Sequence, residues 1–239
     1  CLRFFGVAAP EDWRTHYCGM QADFKRSRVE QSDIGAISSW LRLGEQQAEK
    51  LDGLKYDKAR FEKSLQIIRG LTREQPEVFE PQLRKLLQES GVALILVPAI
   101  PRAHVSGVAR WLSPTRPVIQ LSLYGKTNDK FWFTFFHEAA HLLLHANTKE
   151  EKKSVFLDDP NASYSDDPKE YEANEWASSY LIPTEYNVEL FSLRSKATVE
   201  NFANEIGIHP GIVVGRLQHD GLIERSWMND LKQSFCLSK

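Results

Sequence analysis

Phe136-His137-Glu138-Ala139-Ala140-His141-Leu142-Leu143-Leu144-His145 is apolar except for three histidines and one glutamate. With Phe131, Trp132 and Phe135 upstream, it predicts a buried helix from about Lys130 to Ala146, capped by Asn128 or Asp129. Carboxylate and imidazole groups inside such a helix are costly unless they have partners. His137 and His141 are four residues apart, so they share one face, one turn above the other. Two imidazoles placed there can bind one tetrahedral ion, for which zinc is well suited. Glu138 is next to the first of them and points beside the ion, where a general base takes a proton from a water that the ion acidifies.

A third ligand is needed. His145 lies eight residues beyond His137, a rise of about 12 Å along a helix, so the three rings cannot reach one ion. His145 is therefore read as a neighbour of the site, a hydrogen-bond partner or a cap. The glycine-turned HExxHxxGxxH pattern is excluded, because Leu144 and Asn147 stand at its Gly and last His. The better candidate is Glu170, at the start of a helix expected from Pro168 to Leu181 and stopped at Pro183. Ala173, Asn174 and Ala177 share its face. They suit close packing on the first helix, with Asn174 placed to hold a histidine ring nitrogen. Glu172, about 160° around the helix from Glu170 at roughly 100° per residue, is the runner-up ligand.

Outward from this pair of helices, the pattern changes twice. Between Gln31 and Ser90, apolar residues recur at helical spacing in three stretches: around Trp40 and Leu41, around Phe61, Leu65 and Ile68, and around Leu83, Leu86 and Leu87, with Gly91 as a stop. Val92–Val97, Gly107–Leu112 and Pro117–Tyr124 then read as strands, the last two joined by the turn Ser113-Pro114-Thr115-Arg116. A small antiparallel or mixed sheet is expected, with the strand from Pro117 or its hairpin partner aligning an extended substrate by strand addition. The polar stretch Asn147–Lys169 reads as a long functional or mobile loop. Thr198–Gln218 carries Ala203, Gly207 and Val213 at helix-turn-helix spacing. Its second helix, from Pro210, is poor in Lys and Arg, which favours a structural or protein-docking unit over a DNA reader. His209 belongs to the turn there rather than to a metal site.

The 239 residues thus divide into a helical region 1–75, a catalytic region 76–190 and a helix-turn-helix-like region 191–239. Phe4, Phe5 and Trp13 are expected to pack. A net charge of −2 gives no strong pull towards nucleic acid or anionic membrane. The longest apolar run, Val92–Ile100, is too short to span a bilayer and contains Pro98. Cys1, Cys18 and Cys236 are far apart and odd in number, which excludes a disulfide framework and a cysteine zinc knuckle and suits a reducing cytoplasm.

The HExxH helix, followed by Glu170-x-x-Ala173-Asn174-x-x-Ala177 and by Leu181-Ile182-Pro183, resembles the ImmA/IrrE metallopeptidases over roughly residues 80–220. The match is best to those fused to an XRE-type helix-turn-helix or found in HigA-like addiction modules. That resemblance implies an α+β, zincin-like fold of the gluzincin type, with Zn2+ held by His137, His141 and Glu170 and with Glu138 as base. It implies a zinc endopeptidase that cleaves a DNA-binding repressor or antitoxin and so switches on gene expression under stress or phage induction. The start at Cys1 rather than Met fits a missing N-terminal DNA-binding domain, through which alone DNA would be a partner. Trp176 stands where relatives often carry Phe. Arg110, Tyr164 and His145 are all candidates for stabilising the transition state. The rival reading is a non-proteolytic regulator or antitoxin-like module on the same fold. A structural zinc would need four protein ligands, and only three are evident.

Overall fold

Alternate residues of each strand face opposite ways, and in this sheet both faces are covered. The computed structural model describes residues 2–24, 33–51, 54–122, 127–146, 148, 156–158 and 167–235. Helices α1 (Leu2–Phe5), α2 (Pro10–Phe24), α3 (Ile34–Ala48), α4 (Lys58–Leu71) and α5 (Pro76–Glu89) come first. Strands β1 (Ala93–Leu96), β2 (Gly107–Ser113) and β3 (Arg116–Leu121) follow. After them come α6 (Asn128–Leu144), β4 (Phe156–Asp158), α7 (Pro168–Leu181), α8 (Asn187–Leu190), α9 (Lys196–Ile206) and α10 (Pro210–His219). The arrangement is α+β, as expected.

The sheet is mixed, in the order β1-β3-β2-β4. β1 runs parallel to β3, whereas β2 is antiparallel to both β3 and β4. On one face Leu94, Ala109, Ile119 and Leu121 meet α4, α5 and α6 through Phe61, Leu83, Phe135 and Phe136. On the other, Ile95, Val108 and Val118 meet α3 through Ile37, Trp40 and Leu41. Burial on both faces explains why Val92–Val97 is an unbroken apolar run. Leu65 and Ile68, from the expected first region, and Val199, Phe202, Val213 and Leu217, from the last, join the same cluster as the middle of the chain.

The capping residues set most helix starts. Asp33 Oδ1 accepts from Gly35 N and Ala36 N, Asp57 Oδ1 from Arg60 N, and Asp167 Oδ1 from Lys169 N. Gly91, with φ of 79°, ends α5 in the left-handed conformation its lack of a Cβ allows. α6 departs from expectation: it begins at Asn128 with Thr127 as its N-cap. The two expected caps are engaged elsewhere. Asn128 Nδ2 donates to His209 Nδ1 at 2.7 Å, and its Oδ1 accepts from Gln233 N at 3.1 Å. Asp129 pairs with Lys232 at 2.6 Å.

Two expectations about the sheet are corrected. β3 lies between β1 and β2 with both sides hydrogen-bonded, so it offers no edge to a substrate. Its partner β2 is bonded to β4 from Gly107 to Ala109. β4 itself lies within the stretch expected to be all loop. A three-residue strand is too short to give a period, and only its pairing to β2 reveals it. The rest of that stretch, apart from Thr148 and Asp167 onward, lies outside the described residues, as do Tyr164, Tyr124, Cys1 and Cys236.

α9 and α10 form the expected helix-turn-helix-like pair. His209 is the N-cap of α10, its Nδ1 accepting from Gly211 N at 3.0 Å. Ile212, Val213, Val214 and Leu217 of α10 are buried, and the helix packs on α6. Those side chains are committed to the core. Among the described residues, no helix is long and apolar enough to cross a membrane.

Candidate metal centre

α6 and α7 lie side by side because α7 turns two alanines, Ala173 and Ala177, both fully buried, towards the HExxH helix. Small side chains let the two backbones approach, and a carboxylate on the first turn of α7 then reaches α6. His137 Nε2 and His141 Nε2 lie 3.0 Å apart. Glu170 places Oε2 at 3.2 Å from the first and Oε1 at 3.3 Å from the second. Ligand atoms around a tetrahedral zinc, with bonds of about 2 Å, are separated by roughly 3.3 Å. The three side chains therefore have the spacing of one face of such a site, and as a group they could hold a metal ion.

The protonation states suit a cation. Burial is the main cause that lowers the His141 pKa from 6.5 to about 4; neighbouring His137 adds to it, and the hydrogen bond to Glu170 opposes it. Burial alone would raise the pKa of Glu170, but its hydrogen bonds with His137 and His141 outweigh this and hold the carboxyl far below its usual range. Near neutral pH His141 is thus a neutral ring and Glu170 a carboxylate, the forms that ligate without first releasing a proton.

The outer nitrogens are engaged as well. His137 Nδ1 donates to Asn174 Oδ1 at 2.9 Å, the contact expected for Asn174. His141 Nδ1 lies 2.9 Å from Nδ1 of His145. The second ring nitrogen of His145 is 3.0 Å from Glu172 Oε2. The runner-up ligand Glu172 is therefore outside the ligand cluster and holds His145 instead. The half-turn between Glu170 and Glu172 was the clue in the sequence.

Glu138 is fully buried, on the side of α6 that faces β2. Gly107 makes room for it: a Cβ at that position would lie 2.6 Å from Glu138 Oε1 and 2.7 Å from Thr134 Cγ2. This need for glycine was not legible in the sequence, because it depends on a strand and a helix meeting.

Arg110 is removed from the list of transition-state stabilisers. It is on the opposite face of β2 from Gly107. There Nη1 bonds Glu45 Oε1 at 2.6 Å, and Nη2 donates to Leu41 O at 2.7 Å. His145 is near the cluster, with its Nδ1 against Nδ1 of His141.

A family model described as the IrrE N-terminal-like domain, Peptidase_M78, matches residues 95–218, more than half of the 239-residue chain. No curated protein matches it.

Proposed function

The chain belongs to the Peptidase_M78 family of IrrE N-terminal-like domains, and from that premise we propose that it is a zinc-dependent endopeptidase. The observation that carries the reading is the triangle of donor atoms from His137, His141 and Glu170, beside a buried Glu138.

In this reading His137, His141 and Glu170 would hold the ion. A zinc ion there supplies Lewis acidity to the scissile carbonyl and to a water. Glu138 takes the proton of that water as it attacks and passes it to the departing amine. Among the described residues β4 ends the sheet on the side of Gly107, and in this reading an extended peptide pairs along it.

The substrate class attached to this reading is a DNA-binding repressor or antitoxin, cut to release gene expression under stress or phage induction. It rests on the family resemblance, whereas a cytoplasmic location rests on three scattered cysteines.

The test begins with metal content. Protein purified without added metal carries about one zinc per chain, and His141→Ala loses it. Glu138→Gln keeps the zinc but cuts candidate repressors or antitoxins roughly 100- to 10,000-fold more slowly. Wild-type protein that takes up no zinc, or a Glu138→Gln variant that cuts at the normal rate, would overturn the assignment.

A further inference from the structure

The geometry points to His145 and Glu172 as positioning residues that hold the His141 ring with its Nε2 lone pair aimed at the metal position. The inference rests on the zinc reading above and extends it by one layer.

The argument is a proton count. A neutral ring that ligates through Nε2 carries its proton on Nδ1. Nδ1 of His141 is 2.9 Å from Nδ1 of His145, so that proton must be donated and the His145 nitrogen must accept it. His145 then carries its own proton on the other nitrogen, which is 3.0 Å from Glu172 Oε2, an obligate acceptor when ionised. Every proton has one place and no donor meets a donor. His137 is fixed independently through Asn174 Oδ1.

The placement is also economical in chain terms. His141 and His145 are one helical turn apart on the same face of α6, and His145 is its C-cap residue. Glu172 is two residues after Glu170 on α7. Although Glu170 and Glu172 diverge by about half a turn of α7, both side chains reach back to α6, Glu170 to His137 and His141 and Glu172 Oε2 to the second ring at 3.0 Å. The side chain of Glu172 is 61% exposed and that of His145 only 5%. The relay thus runs from a buried ligand to a carboxylate at the surface, where substitution leaves the core intact.

The test measures zinc affinity on the full chain by competition with a chromophoric chelator, together with imidazole nitrogen spectra of the zinc-loaded protein. Glu172→Ala and His145→Phe should weaken zinc 10- to 100-fold, and Glu172→Gln, which still accepts a hydrogen bond, should recover most of the loss. The spectra should place the proton of His141 on Nδ1 and that of His145 on Nε2. If Glu172→Ala binds zinc as tightly as wild type, or if His145 carries its proton on Nδ1, the relay is wrong while the zinc reading stands. If the wild type takes up no zinc, both fall.

Discussion

Gly107 and Glu138 come from elements that share no local sequence signal, yet a methyl group on the first would overlap the carboxylate of the second. Gly107→Ala should therefore push Glu138 aside without disturbing the ligands. Hydrolysis is expected to fall on the order of 100-fold, the cost of about an ångström of misplacement, while zinc content stays unchanged. Loss of zinc together with activity would mean that the substitution acts through the helix as a whole. His137 and His141 were legible as neighbours on one helix face because a four-residue spacing fixes the face on which two side chains stand. Glu170 was legible only as the better of two acidic residues, since a helix pattern gives angle but not distance. The partner of His145 could not be read at all, because it depends on how α6 and α7 are rotated against each other.

At the level of elements, two cations brace the helices that carry the site. Lys58 Nζ donates to Leu143 O at 3.0 Å, at the end of α6. Arg69 reaches the end of α7, with Nε donating to Tyr180 O at 2.9 Å and Nη2 to Leu181 O at 2.8 Å; its Nη1 donates to Ile206 O of α9 at 2.8 Å. Carbonyls at helix ends lack partners within the helix and carry partial negative charge, which a guanidinium satisfies well. Arg69→Met should cost about 3 kcal/mol, as hydrogen bonds to a charged group and then unpaired carbonyls would suggest. Urea unfolding would register it as a lower midpoint with an unchanged slope; a shift smaller than the error of the midpoint would show that water replaces the guanidinium without loss. Helices α3 to α7, α9 and α10 were legible from period and punctuation, whereas α1, α2 and α8 were not. β4 was not, and neither was the true start of α6, because strand pairing and a contact with Gln233 decide those, and both lie far off in sequence.

For the molecule as a whole, acid should act on the centre and on the fold together. His141 has its pKa lowered from 6.5 to about 4 in the folded chain. As the pH falls from about 6.5 towards 4, the unfolded chain takes up a proton that the folded site refuses, so stability is lost across that window. The lowered pKa of Glu170 has the same sign, with its share lost at still lower pH. The apo protein should melt at progressively lower temperature as the pH falls from 6.5 to 4, and His141→Gln should flatten that slope. Zinc at 1,000 times its dissociation constant should add about 4 kcal/mol at neutral pH, and a chelator should remove it; a melting point indifferent to chelator would argue against any bound ion. The mixed sheet, the HExxH helix and the helical surroundings were legible because each depends on local patterns. Which strand lies at the edge depends on the order of pairing and had to be seen. The reach of Arg69 has one more consequence. Its carbonyl partners lie 111, 112 and 137 residues further along the chain. During synthesis, N-terminal segments emerge first, so both histidines leave the ribosome well before residue 206 exists to complete the brace. The two helices that carry the cluster are therefore made before the last carbonyl that ties them to the rest of the fold, and the brace closes only after α9 has formed.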